Sequence, residues 1–293
     1  MTFRHFLGAT FSRCIDAVLR SKYFPLTLAF PRGVSWPFDI QRFLGTRSLG
    51  VLFDVGANTG QTLKTLMAHA PDAEIYCFEP AATTFRHLES KFGGRKNVHL
   101  FNLALGAEDG RLALQLGEDS ELNTLVSRGA GGAPESTQMT EVTTVDAVVA
   151  AHGISHVDLL KLDVQGWELE VMKGAADLIA NHNLIFVFAE VAFRSDQNEM
   201  QQFAGLHGHL EKRGFVLCGF YDLMRYGPRK EFVLFSNALY IHPEARLKWT
   251  EMQAEWSGWL SRQKPAPVPP AILSAVPGAA SAVVGTPPVV AQP

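Results

Sequence analysis

The stretch Val51-Leu-Phe-Asp-Val-Gly-Ala-Asn-Thr-Gly60 places a short β-rich apolar run directly before a glycine-bearing turn, and a helical pattern opens at Gln61. A strand that feeds a helix through so tight a turn is the opening half of a βαβ unit, and such units build parallel sheets. Gly56 and Gly60 allow the backbone to turn sharply and approach a ligand, while the helix start offers unpaired N–H groups. The segment reads as a cofactor loop.

The same rhythm continues from about Leu49 to His242. Candidate strands lie at Gly50–Val55, Glu74–Phe78, Val98–Leu103, Val157–Val164, Leu184–Val191, Phe215–Phe220 and Val233–Ile241. Helical patterns fall between them at Gln61–His69, Ala82–Phe92, Trp167–Ala180 and Asn198–Arg213. The interval Arg111–Thr144 breaks the alternation and is rich in Gly and Ser around Ser127–Ser136, which predicts a hairpin with a mobile, lid-like loop.

With 293 residues, 47% of them hydrophobic and 19% charged, the chain can bury the core of one large α/β domain with extensions. The expected division is a helical N-terminal extension over 1–48, the α/β domain over 49–245, a C-terminal helix over 246–263 and a disordered Pro/Ala-rich tail over 264–293. A formal charge of −3 gives no general basic surface, so no nucleic-acid partner is expected. Cys14, Cys77 and Cys218 stand far apart and suggest neither a zinc site nor a disulfide framework, which fits a reducing cytoplasm. Met1–Tyr23 carries apolar positions at helical spacing with Arg4, Arg13, Arg20 and Lys22 among them. It reads as a helix packed on the domain, with weak membrane-surface contact as the alternative. Oligomeric state is not legible.

The glycine loop is not a dinucleotide fingerprint. A G-x-G-x-x-G turn from Gly56 would place glycines where Asn58 and Gln61 stand, so a pyrophosphate is disfavoured and the amino-acid end of a cofactor suits the turn better. Asp54 either meets an ammonium group there or braces the turn. Glu79, about 20 residues on at the end of the second strand, occupies the position where a carboxylate accepts from ribose hydroxyls. The Asn102-Leu-Ala-Leu-Gly106 turn offers an edge for a base, or Asn102 simply caps it. In the fourth unit Lys161 and Asp163 are two apart and share one strand face, so Asp163 either faces the reacting groups or balances Lys161. Glu168 and Glu190 complete an acidic cluster on the same sheet edge.

Taken together, Phe53–Gln61, Phe78-Glu-Pro80, Asn102–Gly106, Leu160–Glu168 with Lys173-Gly-Ala175, and Glu190-Val191 resemble the FkbM family of S-adenosylmethionine (SAM)-dependent methyltransferases. The resemblance implies an α/β, Rossmann-like class I methyltransferase with a doubly wound, mostly parallel seven-stranded sheet and an antiparallel edge. It also implies SAM as cofactor and O-methylation of a small-molecule or glycan acceptor: a sugar, a glycolipid or polysaccharide unit, or a natural product. The residues it assigns to the cofactor are Asp54, Gly56, Ala57, Asn58, Gly60, Glu79, Pro80, Asn102, Ala104 and Asp163. Asp163 is the first candidate for the base that takes the acceptor proton, with Glu190 and Glu168 in reserve; His182 reads as a surface residue. Gln165 stands where many relatives have Glu and Trp167 where a small residue is common, so no metal is carried across. Trp167 reads as an aromatic wall for a sugar or as a packing residue. The rival readings are an NAD-dependent oxidoreductase and a non-catalytic SAM-binding scaffold.

Overall fold

The structure, a computed structural model, describes residues 31–115, 124–126, 137–194 and 200–249. The amphipathic segment Met1–Tyr23, the loop Ser127–Ser136 and the tail from Lys264 lie outside the described residues.

A seven-stranded sheet forms the frame: β1 (Val51–Val55), β2 (Glu74–Phe78), β3 (Val98–Phe101), β8 (Val157–Leu162), β9 (Leu184–Ala192), β10 (Val216–Tyr226) and β11 (Phe232–Ile241). Its order is β10-β11-β9-β8-β1-β2-β3. Neighbours from β3 to β9 run parallel, whereas β11 is antiparallel to both β9 and β10. This is the expected doubly wound sheet with its antiparallel edge. The sequence reverses direction through the sheet between β1 and β8, and ligands of such sheets bind outside the carboxyl ends of the strands at that point.

Both faces of the central strands are covered, which is why β8 and β9 read as near-continuous apolar runs rather than alternating ones. Phe53, Leu160, Val187 and Tyr240 belong to one core, packed with Val145, Val171, Leu178 and Leu206 from α4 (Val145–Ala151), α5 (Glu168–Lys173), α6 (Ala176–Ala180) and α7 (Phe203–Glu211). Leu52, Ile75, Leu159 and Phe186 belong to the other. Its covering residues include Ile40, Leu63, Leu88 and Ala245, from α1 (Trp36–Leu44), α2 (Gln61–His69), α3 (Ala82–Phe92) and α8 (Pro243–Trp249).

Between β3 and α4 the chain forms a second sheet of β4 (Ala104–Leu105), β5 (Gly110–Gln115), β6 (Thr124–Val126) and β7 (Thr137–Thr143), in the order β4-β7-β5-β6. The expected hairpin is present as β5 paired antiparallel with both β6 and β7. Val98–Leu103 is cut short at Phe101 because the chain bends at Asn102 and Leu103 and enters the second sheet at Ala104.

Two further boundaries differ for physical reasons. The single helix expected over Trp167–Ala180 is two helices, α5 and α6. A Cβ on Gly174 would lie 2.0 Å from the Gly106 carbonyl oxygen, so the backbone between them passes directly against the second sheet's first turn. The strand expected at Phe215–Phe220 runs on to Tyr226, past a bulge at which two residues of β10 oppose one of β11.

Candidate functional site

The carboxyl ends of β1, β2, β8 and β9 surround a cavity of about 280 Å³. Its floor is the glycine turn after β1. Gly56 adopts φ +75° and a Cβ there would stand 1.8 Å from the Asp163 carbonyl oxygen, so only glycine lets the β1 and β8 turns meet. Asn58 (φ +48°) and Gly60 (φ +88°) complete the turn in the same left-handed region. The turn's N–H groups are spent internally: Gly56 and Ala57 both donate to the Phe78 carbonyl at 3.0 Å, Gly60 donates to Ala57, and Asn58 donates to Glu79 Oε2 at 2.9 Å. The polar wall facing the cavity here is Asn58, with Gln61 and Thr62 at the first turn of α2.

Glu79 is held from both sides, since its Oε1 accepts from the Ala81 N–H at 2.9 Å. Burial pushes its carboxyl up to about 7, against those two backbone hydrogen bonds. Asn102 does not line the cavity. Its amide donates to the Glu79 and Pro80 carbonyls at 2.8 and 3.1 Å and so fixes the segment that carries Glu79. The apolar end of the cavity is built by Phe78, Leu103, Leu105 and Leu114, with Pro80 and Ala104 beside them. Leu114 comes from β5. Gln138 of β7 ties that sheet to the Glu79 loop by accepting from the Ala82 N–H and donating to the Pro80 carbonyl.

At the opposite end stand Lys161, Asp163, Gln165 and Glu190. Register places Asp54 of β1 beside Lys161 of β8, with Lys161 Nζ 3.0 Å from Asp54 Oδ1, 3.5 Å from Asp163 Oδ2 and 3.1 Å from the Gly56 carbonyl it donates to. Burial alone would lower Lys161, but Asp54 and Asp163 outweigh it and hold the ammonium charged. Asp54 is fully buried, without a surface on the cavity; burial raises its carboxyl and Lys161 opposes the rise. The placement makes it the main partner of Lys161, which in turn donates to the Gly56 carbonyl of the turn. Asp163 keeps 39% of its side chain exposed to the cavity side.

Gln165, in a left-handed turn (φ +52°), donates towards Asp163 Oδ1 at 3.3 Å and Glu190 Oε2 at 3.4 Å, bridging the two acids. Burial, then the charges of Asp163 and Glu168, pushes Glu190 up to about 8. Glu168 is buried behind the wall, its Oε1 accepting from the Val164 N–H at 3.0 Å, and burial pushes it up to about 7. That position suits capping of the 164–168 turn better than contact with an acceptor. Trp167 packs between the main and second sheets and lines no part of the cavity, so the packing alternative describes it.

Residues 54–217, more than half of the chain, match the family model described as the methyltransferase FkbM domain. The chain belongs to the FkbM methyltransferase family. The 2-O-methyltransferase NoeI of Sinorhizobium fredii (strain NBRC 101917 / NGR234) is 22% identical over 149 residues, 46% of this chain and 61% of that protein. The match thus spans less than two thirds of that relative. Among solved structures, precorrin-6y C5,15-methyltransferase from Geobacter metallireducens GS-15 has a TM-score of 0.35 at 13% identity, covering 70% of this chain and 84% of that one. An rRNA methylase from Streptococcus thermophilus has a TM-score of 0.39 at 8% identity, covering 76% and 98%.

In this FkbM domain the sequence pattern pointed to the glycine turn, Glu79, Asp163 and Glu190, which the fold brings to one cavity. Pro80 and the 102–106 turn, whose Leu103, Ala104 and Leu105 line the apolar wall, also lie where the pattern placed them, whereas Leu114 and Thr62 escaped it. Leu114 follows no motif, and a strand in a second sheet acquires its place only through pairing. Among the described residues no helix is long and apolar enough to cross a membrane.

Proposed function

We propose that this methyltransferase carries a methyl group from SAM to a hydroxyl oxygen of a sugar-containing or natural-product acceptor. The observation that carries the reading is the grading of one cavity at the sheet's reversal point: an apolar pocket, then a single buried carboxylate, then an acidic edge. Phe78, Leu103, Leu105 and Leu114 suit the flat face of an adenine, and Glu79 has lone pairs left for ribose hydroxyls. The N-terminal turn of α2 at Gln61–Thr62 favours a carboxylate through the helix dipole. Asp163 suits the cationic ammonium and sulfonium groups, with Glu190 beside it as a hydrogen-bond partner. SAM, when bound, supplies an electrophilic methyl whose carbon–sulfur bond breaks as the new oxygen–carbon bond forms.

The chain's own contribution is position and proton transfer. Asp163 is the carboxylate that takes up the acceptor proton. Lys161 fixes it from behind and Gln165 from the side. Glu190, pushed up to about 8, holds its own proton near neutral pH and is the weaker recipient. The name of the Sinorhizobium relative, a 2-O-methyltransferase, supports oxygen as the atom modified.

Glu79→Ala is expected to weaken SAM binding by about 1.5–3 kcal/mol, the worth of a hydrogen bond to a charged group, or about 10- to 150-fold in Kd. Calorimetric titration of folded Glu79→Ala and Glu79→Gln proteins checks this. Wild-type affinity in both variants would remove Glu79 from the cofactor site.

A further inference from the structure

A second cavity, of about 220 Å³, opens on the α1–α2 side of the same acidic edge and shares Gln61, Thr62, Lys161 and Asp163 with the first. Asp163 therefore stands at the junction of two cavities. The remaining walls of the second are Trp36 of α1, Thr65 of α2, Phe188 of β9, Asn237 of β11 and Asp222 of β10. Trp36 and Phe188 stack at 4.7 Å and give an apolar surface, while Asn237 pairs in register with Glu190.

Asp222 is there because the backbone is bent to put it there. β10 pairs Tyr221 with Asn237 and Met224 with Phe235, so Asp222 and Leu223 together stand opposite Ser236 in a bulge. Ser236 Oγ donates to the Tyr221 carbonyl at 2.7 Å and closes the irregularity. The first residue of such a bulge sits in the left-handed region that glycine occupies without cost. Asp222, at φ +54°, occupies it instead. Bulges re-aim side chains beside functional sites, and non-glycine residues held in this region cluster there. The Tyr221 hydroxyl, donating to Asp39 Oδ2 at 2.8 Å, anchors the preceding residue to α1 and hence to Trp36.

We propose that this second cavity is the acceptor subsite, and that it takes one hydroxylated ring of sugar type. The apolar face of the ring lies against Trp36 and Phe188, two of its hydroxyls bond to Asp222 and Asn237, and the hydroxyl to be methylated points at Asp163. The inference rests on the methyl-transfer reading above and extends it to the acceptor's chemistry. Asp222 and Asn237 already hydrogen-bond to each other; an acceptor without flanking hydroxyls would cover the remaining lone pairs of the carboxylate and leave them unmet, a desolvation cost that a polyol avoids. The volume lies below that of pockets for drug-sized ligands, about 300–1,000 Å³. One ring enters, and the rest of a larger acceptor remains outside.

The variant Asp222→Gly tests this without endangering the fold, because glycine adopts the left-handed conformation freely. Binding of the methyl glycosides of glucose, galactose, mannose and rhamnose is measured by saturation-transfer NMR, on wild type and variant loaded with S-adenosylhomocysteine. Titration with SAM and the melting temperature are followed in parallel. At least one glycoside is expected to bind the wild type, and to bind Asp222→Gly at least about tenfold more weakly, the loss of one charged hydrogen bond. SAM affinity is expected to be unchanged and the variant to melt no lower. Trp36→Leu is expected to weaken the same glycoside. Failure of all four glycosides to bind the wild type, equal binding by Asp222→Gly, or binding of catechol in their place would overturn the subsite while leaving the methyltransferase reading intact. Failure of SAM to bind the wild type would instead bring down the reading on which it rests.

Discussion

Asp163→Asn is expected to lower methyl transfer by about 10²–10⁴-fold, the usual contribution of a positioned base, while SAM still binds. Asparagine keeps the shape of the side chain and can still accept a hydrogen bond, but it cannot accept the proton that the acceptor hydroxyl gives up. The structure also makes the substitution a clean one. Lys161 keeps Asp54 at 3.0 Å and the Gly56 carbonyl at 3.1 Å, so its ammonium is not orphaned when Asp163 becomes neutral. Asp163 is itself part-exposed, and ion pairs of that kind contribute about 1 kcal/mol or less. A melting temperature close to that of the wild type with turnover nearly abolished supports the base. A destabilised protein with near-normal turnover would show that Asp163 only balances Lys161.

Lys161→Met should have the largest effect on stability. It leaves Asp54, fully buried on the neighbouring strand, without its cation, and breaking a buried pair from one side costs about 3–5 kcal/mol. The deficit should depend on pH in a fixed direction. Without the ammonium, the folded-state pKa of Asp54, already raised by burial, climbs further above its unfolded value of about 4. The folded variant then holds a proton that the unfolded chain has released, so its stability falls as pH rises from about 4 through the raised pKa. Urea denaturation at about pH 5 and about pH 7.5 should show the smaller deficit at the lower pH. Adding Asp54→Asn should recover part of the loss and flatten its pH dependence. A deficit indifferent to both pH and Asp54→Asn would mean that Lys161 serves as packing rather than as a counter-charge.

The parallel sheet was legible because local patterns determine it: short apolar runs ended by glycine or acidic turns, each followed by a helical period. The glycine turn and Glu79 were legible because their spacing is set by one strand, one helix and one more strand. Pairings across strands were not. Lys161 lay two residues from Asp163 in sequence, which made Asp163 its evident partner, yet strand register places Asp54 nearer. Helix α4 also escaped notice, since Val145-Asp-Ala-Val-Val-Ala-Ala151, just past the irregular interval, is short and rich in β-branched residues. Its start is signalled by Thr144, whose hydroxyl accepts from the Ala147 N–H at 3.0 Å. Asp222 carried no signal at all: an aspartate in a left-handed bulge looks in sequence like any polar residue on a strand.

That bulge bears on more than acceptor chemistry, because β10 is an outer strand of the seven-stranded sheet. Such a margin presents a row of backbone donors and acceptors to which another chain can add, and a bulge breaks the row. Leu223 and Met224, exposed immediately after Asp222, would otherwise lie on a straight and partly apolar margin. Deleting Leu223 would leave Gly219 to Met224 paired one to one with β11, between the remaining shifts at Leu217–Gly219 and Met224–Arg225, and lengthen the regular stretch open to self-association. The kink that aims one carboxylate at the second cavity thus also interrupts the row of backbone groups to which a further strand would add.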